Sequence, residues 1–164
     1  MNQSYEEIFN YLRISHKIET AGQPLKKEIQ LIIKSGTEVV ISLVPKGVKT
    51  EVPEEQQLFE QGGLVFERIP VEWEAPQKDD FQAFLDKMAE YREKQLFIHC
   101  EANMRVSVFM ALYHIVEKGW RIPDAMAGIR EIWNPNDTWR AFFKEILSDY
   151  HVITPDDIGD IEWN

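Results

Sequence analysis

Between Val106 and about Lys118 the sequence has almost no polar face. Val108, Phe109, Met110, Ala111, Leu112, Tyr113, Ile115 and Val116 cover the whole helical circumference. A helix that is apolar all round is buried on every side. The chain must therefore fold as layers with this segment in the middle, and its 164 residues are enough for one such domain.

The flanking segments indicate which layers. Val39–Val44 is a continuous apolar run, the pattern of a strand covered on both faces. Leu64–Val71 and Gln95–His99 read as further strands, and Leu12–Ile14 with Ile18–Thr20 as a small antiparallel edge. Helical segments alternate with them. One carries Leu25, Ile29, Ile32 and Ile33, with Pro24 expected in its first turn. Pro53–Gln61 is a short helix before Gly62-Gly63. Another runs to about Arg92 with Phe81, Phe84, Leu85 and Met88 on one face and Asp79 or Asp80 as its cap. Two more follow: one from Ile122 to near Trp133, and one capped by Asp137 or Thr138 that bears Trp139, Phe142, Phe143, Ile146 and Leu147. This alternation predicts an α/β domain with a central, mainly parallel sheet flanked by helices. The single domain spans 1–164, with its core at about 8–150 and a loosely attached acidic tail at 154–164.

Charge narrows the partners. Twenty-eight acidic residues against 18 basic ones leave a formal charge of -10, which argues against nucleic acid and an anionic membrane surface. Glu54, Glu55, Asp156, Asp157 and Asp160 are expected to place that charge on the outer surface and tail. Met1–Leu12 lacks the basic start and apolar run of a signal peptide, and no apolar stretch is long enough to span a bilayer. The expected compartment is the cytoplasm. The single cysteine, Cys100, excludes an internal disulfide and a cysteine zinc cluster. His16, His114 and His151 have no metal-ligand spacing, so neither metal nor cofactor is expected.

Cys100 lies where the chemistry concentrates. The stretch Leu96-Phe-Ile-His-Cys-Glu-Ala-Asn-Met-Arg-Val-Ser107 takes a buried strand into a short loop and then into the buried helix. Ligands of open α/β sheets bind beyond the carboxyl ends of the strands. Backbone N–H groups from Glu101, Ala102, Asn103, Met104 and Arg105 could converge there on an anion, aided by the helix dipole. The same field is expected to lower the Cys100 pKa and favour the thiolate. Arg105 would add paired donors for a tetrahedral oxyanion.

These residues resemble the cysteine-based protein tyrosine phosphatase superfamily, in its dual-specificity phosphatase-like branch. Its signature is His-Cys, five residues, Arg, then Ser or Thr. His99, Cys100 and Ser107 match, whereas only four residues separate Cys100 from Arg105 and Val106 holds the arginine position. The glycine usual in mid-loop is Asn103, which tolerates a left-handed conformation. Asn10-Tyr-Leu-Arg-Ile-Ser, Thr20-Ala-Gly-Gln-Pro24, Val39-Val-Ile-Ser-Leu43 and Ile69-Pro-Val71 are similar to bacterial phosphatase-like domains related to the beta-lactamase hydrolase-like protein. The resemblance implies hydrolysis of a phosphate monoester through a phosphocysteine at Cys100, with Arg105 on the phosphoryl oxygens and Ser107 helping the phosphocysteine leave. It also implies an Asp acid about thirty residues before the cysteine. Here that loop reads Glu72-Trp-Glu-Ala-Pro76, so Glu72, or else Glu74, is the candidate.

An arginine one residue early points about 100° away unless the loop tightens, by the 3.6-residue helical period. The four-residue spacing also occurs in rhodanese-like sulfurtransferases, which cradle a persulfide. Three functions remain: a phosphatase acting on a phosphorylated small molecule or protein, a catalytically weak module holding phosphate or sulfate, and a sulfurtransferase. Gln23, Asn134 and Asn136 lie in loops able to rim the site, and His99 is expected to fix the loop by hydrogen bonding.

Overall fold

The structure, a computed structural model, describes residues 5–153 and 161–163. After a short 3-10 turn at Tyr5–Glu7 come β1 (Leu12–Arg13), β2 (Ile18–Ala21), α1 (Lys26–Lys34), β3 (Val39–Ser42), α2 (Glu55–Gln61) and β4 (Val65–Arg68). Then follow α3 (Lys78–Glu90), β5 (Leu96–His99), α4 (Met104–Val116), α5 (Ile122–Ile132) and α6 (Asp137–Asp149). The sheet order is β1-β2-β5-β3-β4, and only β1 runs antiparallel to its neighbour. This is the expected mainly parallel sheet with helices on both faces.

Alternation along the strands divides the core. Val39 and Ile41 of β3 and Leu96 and Ile98 of β5 join the larger cluster, formed with α3, α4, α5 and α6. Val40 and Phe97 face the other way, onto Ile29 and Ile32 of α1 and Phe59 of α2. The middle strands are therefore apolar on both sides, as their sequence indicates. Helix α4 is the hub. Every residue from Arg105 to Ile115 is buried, and Phe109 packs against Phe81, Phe84, Trp139 and Phe142.

Several local expectations change. The strand expected over 64–71 narrows to Val65–Arg68. Leu25, not Pro24, precedes the first helical residue of α1, and Glu28 accepts the Leu25 N–H. Gln77 precedes α3, while Asp80 reaches back to the Gln77 N–H. Asn136, not Asp137 or Thr138, caps α6 by accepting the Trp139 N–H. Most of the acidic tail lies outside the described residues. Trp163 is nevertheless buried against Phe143 at 5.0 Å and under the Arg140 guanidinium, so this part of the tail is docked, not loose. Among the described residues, no helix is long and apolar enough to cross a membrane.

Candidate functional site

Parallel strands β2, β5 and β3 end together, and the chain leaves β5 directly into Cys100. The next residues are held from behind by the segment before α1. Gln23 N–H donates to the Glu101 carbonyl at 3.0 Å, and Gly22 forms an isolated bridge with Ala102. A Cβ on Gly22 would lie 2.7 Å from the Glu101 oxygen, so only glycine allows this approach. Asn10 Nδ2 donates to the Ala102 carbonyl, and Asn103 Nδ2 returns a bond to the Asn10 carbonyl at 2.8 Å. Asn103 takes the left-handed conformation (φ 62°) and turns the chain into α4. The Asn10 and Ala-Gly-Gln-Pro segments are thus the brace of the Cys100 loop.

A second brace lies underneath. His99 is fully buried; its Nδ1 contacts the Cys100 carbonyl at 3.1 Å and its Nε2 lies against the Glu55 carboxylate. Gln23 Nε2 also reaches Glu55. Burial opposes ionisation of Glu55, but the His99 imidazole and Gln23 outweigh it and hold the carboxyl below its ordinary pKa. Glu55 is therefore not part of the surface charge expected from sequence. No pattern in the sequence distinguishes it from Glu54 beside it. Gln23 likewise lies beneath the loop and does not rim it.

On the open side a cavity of about 320 Å³ is lined by Trp73, Cys100, Glu101, Ala102, Met104 and Arg105. The backbone N–H groups of Val106, Ala102 and Arg105 act to lower the pKa of the Cys100 thiol. The loop has tightened enough that Arg105, one residue early, still lines this cavity. Its Nη2 donates to Glu101 Oε1 at 2.8 Å, and its guanidinium stands 5.6 Å from the Trp73 ring centre. Its Nε and Nη1 are buried without a partner. Thr50 donates to the other Glu101 oxygen at 2.6 Å. Burial works against the Glu101 charge, yet the bonds from Thr50 and Arg105 keep its pKa below the ordinary value.

The thiolate expectation is corrected. Burial pushes the Cys100 thiol up, and the three amides and the Arg105 charge reduce that rise without reversing it. Other sequence candidates divide. Glu101, Ala102 and Met104 share the cavity with Cys100, whereas Asn103 and Ser107 line a different one on the far side of the loop. The Ser107 hydroxyl donates to the Met104 carbonyl and accepts from Trp133 Nε1. Glu72 and Glu74 are exposed and line neither cavity; Trp73 between them does, anchored by Trp139 Nε1 donating to its carbonyl. Asn134 accepts from Arg140 and Asn136 caps α6, so both serve the 133–140 turn. No group of three or more His, Cys, Asp or Glu suited to a metal occurs among the described residues.

A buried cysteine at a parallel-strand end, an amide-lined loop and an arginine on the same cavity define the class to which the solved structures also point. The fold is that of dual-specificity phosphatase-like structures. A candidate phosphatase of the DUF442 group from Shewanella putrefaciens CN-32 superposes with a TM-score of 0.79 at 27% identity, covering 88% of this chain and 93% of that one. A mutant form of Tk-PTP superposes at 0.74 over 88% of this chain and 98% of that one, with 17% identity. Among curated proteins, the beta-lactamase hydrolase-like protein of Agrobacterium fabrum is 28% identical over 104 residues, 62% of this chain. The match spans 24% of that relative's length. No family model matches the chain.

Proposed function

We propose that this domain is a cysteine-dependent phosphatase acting on a phosphate monoester of a small molecule or protein. The observation that supports it is that Arg105, two of whose guanidinium nitrogens are buried without a partner, lines the same cavity as Cys100. Buried donors of this kind are costly unless an acceptor arrives. A phosphoryl group supplies several.

In this reading the phosphate rests on the loop N–H groups and Arg105. Cys100 starts as a thiol and transfers its proton to a non-bridging oxygen of the phosphate dianion. The sulfur then bonds to phosphorus as the bond to the ester oxygen breaks, and that oxygen leaves as its anion or with a proton taken from Glu72. Water next attacks the phosphocysteine, releasing inorganic phosphate and restoring the thiol. Arg105 and the amides of Ala102 and Met104 stabilise the charge in the transition state. Asn103 sets the loop's turn, and Ser107 acts on the loop through the Met104 carbonyl. Glu72 is the acid only if the 72–77 loop closes over the cavity. Without that closure the enzyme favours leaving groups that need no proton.

The test is turnover of 4-nitrophenyl phosphate by the wild-type chain and by Cys100→Ser, across about pH 5 to 8. Turnover that disappears in the variant supports the reading, and no turnover by the wild-type chain overturns it. The raised thiol pKa and the absence of Glu72 from the cavity favour a second reading, a module that binds phosphate without turning it over. That reading requires inorganic phosphate to raise the melting temperature of an inactive protein. Sulfur transfer from thiosulfate to cyanide would select the sulfurtransferase instead.

A further inference from the structure

The largest cavity among those described lies away from Cys100, with a volume of about 520 Å³. It runs between the β1–β2 edge and α5, with α4 as its floor, and is mostly apolar. None of its lining residues touches the Cys100 cavity. Its size falls in the range of small-molecule sites, about 300–1,000 Å³.

Three features bear on what this space can hold. Asn103 is 1% exposed, and its Oδ1 is buried with no hydrogen-bond partner. The amide orientation follows from its neighbours. Thr20 Oγ1 spends its hydrogen on the Leu12 carbonyl, so it can only accept from Asn103, as the Asn10 carbonyl also must. Nδ2 faces those two acceptors, and Oδ1 is left without a donor, just under the surface of the cavity that Asn103 lines. Gly128 is the second feature. It stands inside α5, where glycine costs roughly 0.5–1 kcal/mol against alanine, yet a Cβ there would meet nothing within 4 Å. No contact of the fold requires that glycine.

The wall is the third feature. His114 stacks on Trp120 at 4.0 Å with an interplanar angle of 8°, presenting a flat double-ring surface. Burial, and secondarily the Lys118 charge, lowers the His114 pKa to about 4, so the imidazole is neutral at pH 7. Its ring nitrogens have no hydrogen-bond partner among the described residues. The charged lining residues are Arg13, Asp124 and Glu131; Arg13 is paired with Glu19 and Asp124 with Arg121, so the net charge facing a ligand is small and negative.

We propose that this cavity is a binding site for an uncharged, planar heteroaromatic molecule carrying a ring N–H. The ring slides over Gly128 against the His114–Trp120 wall, and its N–H donates to Asn103 Oδ1. The site shares Asn103 and Ser107 with the segment that follows Cys100, but none of its lining with the Cys100 cavity.

The experiment titrates the full-length chain with benzimidazole at neutral pH and follows the indole N–H resonances of Trp120 and Trp133 by NMR. A fragment this small should bind at about 1 mM. The Trp120 resonance is expected to shift saturably. 1-Methylbenzimidazole, which lacks the donor, should bind about fivefold more weakly, the worth of one ordinary hydrogen bond. Gly128→Leu fills the space and suits a helix, so it should keep or raise the melting temperature while abolishing the shift. No saturable shift, an unchanged response in a folded Gly128→Leu, or equal binding of the methylated probe would each overturn the proposal. If Gly128→Leu fails to fold, Gly128→Met and the two-probe comparison decide it.

Discussion

The loop from Cys100 to Arg105 has two unlike sides. Behind it, Asn10, Gly22, Gln23, His99 and Glu55 tie the loop's carbonyls and the base of Cys100 to three elements of the fold. In front of it, Trp73 and the Glu101–Arg105 pair stand around an open cavity, and two guanidinium nitrogens have nothing to bind. The difference teaches that the loop's carbonyls are held in place from behind, whereas on the open side two of the Arg105 donors are left without partners.

The back should be the harder side to change. Glu55→Ala leaves His99 Nε2 and Gln23 Nε2 facing an apolar gap, and should lower stability by about 3 kcal/mol in urea unfolding. Glu55→Gln should cost less, since it keeps an oxygen for Gln23. Next comes Gly22→Ala, whose Cβ must push the Glu101 carbonyl away. It should cost about 1–3 kcal/mol, and slow turnover more than its stability loss explains. If either brace variant melts like the wild type, the contrast between the two sides is lost.

The front should respond with changes in binding and not in stability. Glu101→Gln preserves the shape of the pair but removes the charge that competes for Arg105. Phosphate should bind about three- to tenfold tighter by calorimetry, with little change in melting temperature. Because burial raises the Cys100 pKa from its ordinary 9.0, iodoacetamide should alkylate it more slowly than a free cysteine at neutral pH. The rate should climb only in the alkaline range, and inorganic phosphate should protect. Fast labelling at pH 7 would contradict the buried thiol.

The smallest effect lies at His114. A histidine whose folded pKa is lowered contributes stability that is present above its ordinary 6.5 and lost as pH falls toward 4. Thermal melts should show a loss across that window that His114→Gln reduces.

Much of this contrast is legible in sequence, but unevenly. The strand–loop–helix passage through Cys100 shows because apolar runs report burial on both faces. The Asn10 and Ala-Gly-Gln-Pro segments show through resemblance, although their role as a brace needs the tertiary contacts. Glu55 does not show, because a buried carboxylate has the same letter as a solvated one and its partner is 44 positions away. Nor does the Cys100 pKa, a balance between burial and amides that only geometry decides. Ser107 keeps the family spacing from Cys100, yet the shortened loop changes its relation to Arg105 and its hydroxyl turns to Met104 and Trp133.

The central claim is that the sulfur held by the back of the loop attacks phosphorus bound at its front. Its most direct test is a rapid quench of the wild-type chain during turnover of 4-nitrophenyl phosphate, followed by peptide mass spectrometry. The account predicts a phosphoryl group on the peptide containing Cys100, absent from Cys100→Ser. Turnover with that peptide unmodified at every quench time, or with one added sulfur atom in its place, would contradict it.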